Sequence, residues 1–394
     1  MATVVQGSLQ VNGEGPIAAK NILAQLDGKF PVDEAVIEAL PPGLKFVSAE
    51  AYGSSAWTVT GKITAAQEAD GTESYFFLKT AFGEHGGVML RGEYESAKDI
   101  YKIMPCLIPR PFGYGRYQTD NPVTYFYLSN FVDMNTTTAP KPLELAINLA
   151  RLHKESLSPN GMFGYHVGSQ GAKKANRKQV TCDGKMPHNV EWEPSWAVFF
   201  GKLLRRICDI DLRNNGSWPE LERATQQVIA KVVPRLLGDL RSEGGSPIKP
   251  CLLHGDLWEP NLGVDIRTGK LVMYDVGSYY AHNEMELGQW RTDFCSHLRS
   301  RTYTQEYLKQ YPPAEPAAEF DDRNRLYSLK SSMNYSAGHP GCVVRQTAYN
   351  NMCYLCEKYA PCDGIDAYDP GKDPSVTGAR FAPSFTKPDG DVGN

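Results

Sequence analysis

His254-Gly255-Asp256-Leu257-Trp258-Glu259-Pro260-Asn261 holds a carboxylate and a carboxamide five residues apart on a single loop. The spacing is H-x-D-L-x-x-x-N. Fourteen residues after Asn261, the apolar run Val272-Met273-Tyr274 ends in Asp275-Val276-Gly277. The chemistry needs these residue types in this order. An aspartate accepts the proton of an attacking hydroxyl, and an asparagine on the same loop reaches a cation held by phosphates. A second aspartate at the end of a neighbouring strand completes the cation's ligands. Magnesium is hard and prefers carboxylate and amide oxygens together with phosphate. Asp256 is therefore the candidate base, and Asn261 and Asp275 are the candidate Mg2+ ligands. Either aspartate alone reads equally well as a turn residue. Their order and spacing favour a site.

Working outward, Phe76-Phe77-Leu78-Lys79 places a lysine in an apolar strand, where it needs an anionic partner. A lysine so placed in kinases holds the α- and β-phosphates and pairs with a helix glutamate. Glu93 is the candidate partner and Glu95 the alternative, because the two point to different helix faces. Ala51-Tyr52-Gly53-Ser54-Ser55-Ala56-Trp57 lies where a phosphate-covering loop belongs, with Gly53, Ser54 and Ser55 able to cradle phosphate. Strands are predicted over 56–63, 75–80 and 123–130, with a helix over 92–104 that Pro109 and Pro111 follow. A short helix over 32–40 stops at Pro41-Pro42. Beyond residue 130 the pattern turns helical, over 143–154, 196–210, 219–240, 323–337 and 343–359. Pro234 is expected to kink or split the third of these. Two short strands are read at 251–253 and 271–275.

The prediction is an α+β chain with a bilobal, protein-kinase-like fold. A strand-rich N-lobe (residues 1–130) precedes a larger helical C-lobe (131–360) and a mobile tail (361–394) rich in Pro, Gly and Asp. ATP is expected in the cleft between the lobes, against Leu128, Ser129 and Asn130 at the hinge.

Composition bounds the partners. Net charge is −4 over 394 residues, and the dense basic stretch Lys173, Lys174, Arg177 and Lys178 sits among Gly, Ser and Asn. It reads as a solvated loop, so no nucleic acid is expected. No run of 18 apolar residues exists and the N-terminus lacks a signal-peptide pattern, so no membrane is expected. Nine cysteines, an odd number without disulfide-framework density, point to free thiols and a cytoplasmic setting. Cys353 and Cys356 form a C-x-x-C that Cys362 extends, but a fourth zinc ligand is missing, so packing is the expected role.

At this point the residues resemble a known family. His254 to Asn261, Asp275, and the follower Ser278-Tyr279-Tyr280-Ala281-His282-Asn283-Glu284-Met285-Glu286-Leu287 are similar to the fructosamine and ribulosamine kinases. These protein-ketosamine 3-kinases are relatives of the aminoglycoside phosphotransferases. Phe163-Gly164-Tyr165-His166, Thr181 to Pro187, Glu191-Trp192, Pro109-Arg110-Pro111 and Asn334-Tyr335 share the likeness, which spans residues 45 to 360. This chain has Glu259-Pro260 where the family often has Ser-Gly, and Asp275-Val276-Gly277 for Asp-Pro-Ala. Ser129 stands at an often acidic hinge position, and residues 167–179 look inserted. The resemblance implies transfer of the ATP γ-phosphate to O3 of a ketosamine, free or on a glycated protein, as a deglycation repair step. The acceptor is then expected between Trp258 and the segment 181–192. Trp192 would line it, and Glu191, or Glu259 beside the tryptophan, would meet its amine. The alternative for Trp258 is packing within the large lobe. The chain is expected to act as a monomer or weak dimer. Competing functions are a kinase of the aminoglycoside or choline type and a non-catalytic pseudokinase.

Overall fold

The computed structural model describes residues 30–53, 55–166 and 180–380. Ser54 of the expected phosphate loop, the stretch 167–179 that looked inserted, residues 1–29 and the end of the expected tail lie outside the described residues.

The N-lobe is built on one antiparallel sheet of five strands. They are β1 (Leu44–Ala51), β2 (Val59–Gln67), β3 (Glu73–Phe82), β4 (Pro111–Asp120) and β5 (Val123–Asn130), in the order β1-β2-β3-β5-β4. Ile63, Phe76, Leu78, Phe126 and Leu128 project from the three inner strands into a common core. The helix α1 (Glu34–Glu38) closes that core with Val36. Asp33 caps it by accepting from Ala35 N at 3.0 Å, and also accepts from Gln118 N on β4 at 2.8 Å.

β1 and β4 are strands the sequence reading did not find, and both are edges of the sheet. An edge strand buries little, so its apolar alternation is weak. β1 has no fully buried residue, and β4 begins at Pro111, where an edge tolerates the missing N–H. The long helix α2 (Gly83–Ile103) starts nine residues before the predicted Gly92. Its first turns are rich in glycine, which lowers helix propensity. Close packing requires it at Gly87, where an added Cβ would lie 2.8 Å from the Tyr125 ring.

In the C-lobe, β6 (Met134–Asn135) leads to α3 (Pro142–Glu155). Then come the hairpin β7 (Cys182–Asp183) and β8 (Met186–Pro187), α4 (Trp196–Asn215) and α5 (Pro219–Gln227). A π turn (Val228–Val232) separates α5 from α6 (Val233–Leu237), so the expected break falls just before Pro234, which sits in the first turn of α6. A widened turn relieves the clash of a proline ring with the carbonyl four residues back. β9 (Cys251–Leu252) pairs with β12 (Tyr280–Ala281), and β10 (Leu262–Asp265) pairs with β11 (Leu271–Met273) and β6. The 3-10 segment Asn283–Arg291, α7 (Arg301–Gln310), α8 (Phe320–Gly338) and α9 (Val344–Tyr359) complete the lobe.

α8 runs through the middle of this lobe, and every residue from Asp322 to Ala337 is buried although many are polar. Each buried charge has a partner: Asp322 with Lys358 at 2.8 Å, Arg323 with Glu284 at 2.8 Å, Arg325 with Asp373 at 2.6 Å and Lys330 with Asp183 at 2.7 Å. Cys353 and Cys356 pack in the core from α9.

The expected mobile tail is corrected over its first part. Residues 361–380 pack back on the C-lobe and carry the short helix α10 (Pro374–Thr377). Asn350 bonds the backbone of Asp369 in both directions at 2.9 Å, and buried Asp373 receives Arg325. Polar and charged anchors replace the aliphatic residues whose scarcity suggested mobility. Among the described residues, no helix is long and apolar enough to cross a membrane.

Candidate active site

The loop after β9 is fixed from beneath. Both carboxylate oxygens of Glu286 accept backbone N–H groups, one from His254 and one from Gly255 at 3.1 Å. The buried His254 ring bonds Tyr274 O through Nε2 at 3.0 Å, which ties the loop to the end of β11. Gly255 adopts φ +88°, and an added Cβ would lie 2.2 Å from Gly277 O, so only glycine fits. These contacts give a physical account of the acidic follower motif. Glu286 anchors the loop, Glu284 neutralises Arg323, and His282 bonds the Tyr327 hydroxyl at 2.9 Å.

Asp256 rises from this platform with both carboxylate oxygens engaged. Gln289 Nε2 donates to Oδ1 at 2.6 Å. Asn261 Nδ2 donates to Oδ2 at 3.0 Å and to the Asp256 carbonyl at 2.8 Å. Burial, reinforced by the Asp183 carboxylate, pushes the Asp256 carboxyl well above its ordinary range, with Gln289 and Lys330 opposing.

Asp275 lies at the end of β11 and has φ 62°, the one positive value outside glycine among the described residues. Such backbone strain collects at functional positions. Its carboxylate meets Lys79 from β3, and Lys79 also bonds Glu93 on α2 at 2.7 Å. Glu95 pairs instead with Lys98, one turn away. Enclosure raises the Asp275 carboxyl, but the Lys79 ammonium wins and holds it below its usual value. Burial lifts Glu93 to about 7, with Asp275 adding to the rise and Lys79 opposing it. Burial alone would lower Lys79; the two carboxylates raise it instead.

Two adjoining cavities meet at this cluster. One, of about 380 Å³, is lined by Tyr52, Gly53, Tyr127, Ser129, Asn130 and Phe131. The other, of about 270 Å³, is lined by Asp183, Asp256, Trp258, Asn261, Gln289 and Asn334. Ser55, Lys79, Glu93 and Asp275 border both.

Leu128 is a correction. The two-residue period of β5 turns it into the N-lobe core, fully buried, while Tyr127 and Ser129 face the cleft. The Ser55 hydroxyl is occupied within its own loop, accepting from Thr58 N at 3.2 Å and the Thr58 hydroxyl at 2.8 Å.

In the second cavity, aromatic rings form an arc outward from Asp256. Trp258 meets Phe294 edge-on at 5.4 Å, Phe294 stacks on Tyr335 at 4.7 Å, and Tyr335 stacks on His339 at 4.1 Å. Trp57 of the β1–β2 loop tilts against His339 at 6.0 Å. Trp258 both lines this cavity and packs with Phe294, Cys295 and Val344, so it combines the two roles weighed for it.

Glu191 and Trp192 are corrected as acceptor-site residues. Their segment turns away from the cleft where Phe163 bridges Glu193. Trp192 stacks on Tyr280 at 6.1 Å, and exposed Glu191 lines a shallow groove beside α4. Glu259 is also engaged elsewhere, accepting from Ser296 N at 2.8 Å and Leu298 N at 2.9 Å.

Gln289 and, beneath the cleft, Lys330 escaped sequence reasoning, while Asp183 and Asn334 lie in stretches it quoted but had no role of their own there. Lys330 Nζ donates to Asp183 Oδ2 at 2.7 Å and to Gly255 O at 3.2 Å, beneath Asp256. The signal for it was a lysine between Leu329 and Met333 in a helix without a polar face.

Residues 50–350 match the family model described as fructosamine kinase. The chain belongs to the fructosamine kinase family. Among its relatives is a chloroplastic protein-ribulosamine 3-kinase of Oryza sativa subsp. japonica, 26% identical over 284 residues, 70% of this chain and 71% of the relative. The ketosamine-3-kinase of Mus musculus is 26% identical over 313 residues, 74% of this chain and 91% of the mouse protein. In fold, this member of the family is similar to a putative fructosamine-3-kinase from Haemophilus somnus 129PT (TM-score 0.59, 18% identity, 81% of this chain and 96% of that one). It is also similar to an aminoglycoside phosphotransferase in a ternary complex with AMP-PNP and hygromycin B (TM-score 0.53, 12% identity, 84% of this chain and 99% of that one).

Proposed function

We propose that this kinase transfers the γ-phosphoryl group of ATP to the 3-hydroxyl of a ketosamine, fructosamine or ribulosamine, free or on the lysines of glycated proteins. The observation that carries the reading is Asp256, held by Gln289 and Asn261 beside the Lys79–Asp275 cluster that both cavities share. ATP occupies the cavity at the hinge, with Gly53, Ser55, Ser129 and Asn130 around it. Lys79, oriented by Glu93, meets its phosphates. The acceptor occupies the aromatic-lined cavity, Asp256 takes the proton of the attacking hydroxyl, and ADP leaves as the new O–P bond forms.

The donor chemistry fits magnesium. Asn261 Nδ2 is fixed on Asp256, which leaves the amide oxygen to ligate, and Asp275 adds a carboxylate. Among the described residues, no group of three or more His, Cys, Asp or Glu side chains could hold a metal. Two protein oxygens plus phosphate suit an ion that retains most of its water. Bound there, Mg2+ supplies charge neutralisation on the phosphates.

Sugar rings offer C–H faces and hydroxyls, which an aromatic arc with a few polar groups suits. The phosphorylated ketosamine is labile and falls away, so the reaction amounts to repair of glycated protein. A cytoplasmic setting accords with nine free cysteines. The test is a panel of acceptors with ATP and magnesium: fructose-lysine, ribulose-lysine, choline and an aminoglycoside. Phosphate transfer to at least one ketosamine is expected. Transfer to choline or the aminoglycoside alone would overturn the proposal.

A further inference from the structure

We propose that Asn334, on the cleft face of α8, is the residue that recognises the acceptor, its amide oxygen receiving a hydroxyl of the sugar beside the one that reacts. This rests on the ketosamine reading and names a subsite within it.

Asn334 is 8% exposed and lines the acceptor cavity together with Ser331 and Tyr335 of the same helix. Its Nδ2 donates to the backbone carbonyl of Asp183, at 3.4 Å. Its Oδ1 is buried and finds no donor among the described residues. Turning the amide over would not help, because two acceptors would then face each other across that distance. The carbonyl of Asp183 therefore sets the orientation, and the oxygen is left unmatched.

A buried acceptor without a donor is unfavourable and uncommon in native proteins. It persists here at the wall of a cavity, three residues from Ser331, whose hydroxyl donates to Gln289 at 3.4 Å. Gln289 in turn holds Asp256. One helix face thus carries both the support of the base and the unmatched oxygen. The 3.4 Å bond that holds the amide is long, so a small turn of the side chain opens its oxygen to the cavity, where the occupant brings the donor. A neutral amide oxygen suits a neutral hydroxyl, whereas a protonated amine is matched better by a carboxylate, which Asp183 provides nearby. An acceptor with several hydroxyls on one ring can meet Asn334 with one of them and Asp256 with another. A simple amino alcohol such as choline cannot.

The experiment compares wild type with Asn334→Leu, similar in volume and without the oxygen, and with Asn334→Ala should the leucine variant fail to fold. Steady-state kinetics on the preferred ketosamine are read beside melting temperature. Ketosamine binding in the presence of AMP-PNP is followed by calorimetry. The expected result is a rise in ketosamine KM and Kd of about tenfold, the scale of one hydrogen bond left unmade in a buried site, with the KM for ATP and the melting temperature unchanged. Unchanged ketosamine affinity, or a fall in melting temperature with both KM values raised alike, overturns the assignment and reduces Asn334 to a prop for the β7–β8 hairpin. If wild type binds the ketosamine without turning it over, the proposed function fails, while loss of that binding in Asn334→Leu still supports the subsite. If ketosamine is neither bound nor turned over, both fail.

Discussion

Asp256 is crowded by charge of both signs. Burial, with the Asp183 and Asp275 carboxylates adding to it, raises its proton affinity, and Gln289 and Lys330 lower it. Replacing Asp256 by asparagine keeps the volume and removes the proton acceptor. The expected outcome is a loss in kcat of about 10²- to 10⁴-fold with little change in melting temperature. A loss below about tenfold would show that another group takes the proton. Asn261 and Asp275 make a different prediction. Asn261→Ala and Asp275→Ala each remove one candidate ligand, so the magnesium concentration giving half-maximal rate should rise by about tenfold or more, the least that even an indirect metal contact contributes. Titration of activity with magnesium decides it, and an unmoved half-maximum in both variants would dismiss the ion assignment.

Among the elements, α8 and the segment that follows α9 depend on each other. Arg325 on α8 is nearly fully buried and donates to Asp373 at 2.6 Å. Its guanidinium also lies 4.1 Å from the centre of the Tyr354 ring. Truncation after Ala360 removes Asp373 and leaves Arg325 in the protein without its carboxylate. Breaking a buried pair from one side costs about 3–5 kcal/mol, so the melting temperature should fall by several degrees. A dispensable tail would leave it unchanged.

The same pair gives a pH dependence. Enclosure alone would raise the Asp373 carboxyl, but Ser375, Tyr368 and Arg325 outweigh it and hold the group far below its ordinary 3.8. A carboxyl depressed by folding contributes its stability in full above the unfolded value and loses it as pH falls through the folded one. The stability advantage of wild type over Asp373→Asn should therefore be constant at neutral pH and shrink progressively below 3.8. Chemical denaturation at a series of pH values measures it, and a gap that widens on acidification would contradict the assignment.

Across the whole molecule, the lobes are joined at the cleft mouth as well as at the hinge. Trp57, from the loop over the nucleotide side, rests against the β7–β8 hairpin of the C-lobe, with Lys185 Nζ 4.6 Å from its ring centre. His85 on α2 bonds Lys185 O at 2.8 Å. Deeper in, Ser96 Oγ on α2 accepts from Ser278 N at 3.0 Å, and Tyr165 donates to Asp99 at 2.8 Å. The β1–β2 loop and the wall of the second cavity thus share one tryptophan. Trp57→Ala should raise KM for ATP and for the acceptor together, by about fivefold, the scale of one exposed cation–π contact and its packing. An effect confined to ATP would place Trp57 in the nucleotide loop alone.

The order of the elements and the Asp256, Asn261, Asp275 and Lys79 set were legible in the chain itself. Polar groups on one loop keep a fixed spacing, and inner strands and amphipathic helices show their period because one face is buried. Edge strands β1 and β4 escaped because they bury too little to imprint a pattern. Gln289 and Lys330 escaped, and Asp183 and Asn334 stood in quoted stretches without a role of their own, because their meaning depends on distance in space. Lys330 and Asp183 are 147 residues apart in sequence and 2.7 Å apart in the fold. The same cause moved Glu191 and Trp192 out of the cleft: the β7–β8 hairpin keeps Asp183 at the cavity, while the segment that follows it turns away. Local chemistry is written in the sequence, whereas the company each residue keeps is decided by the packing of α8 and the closure of the two lobes.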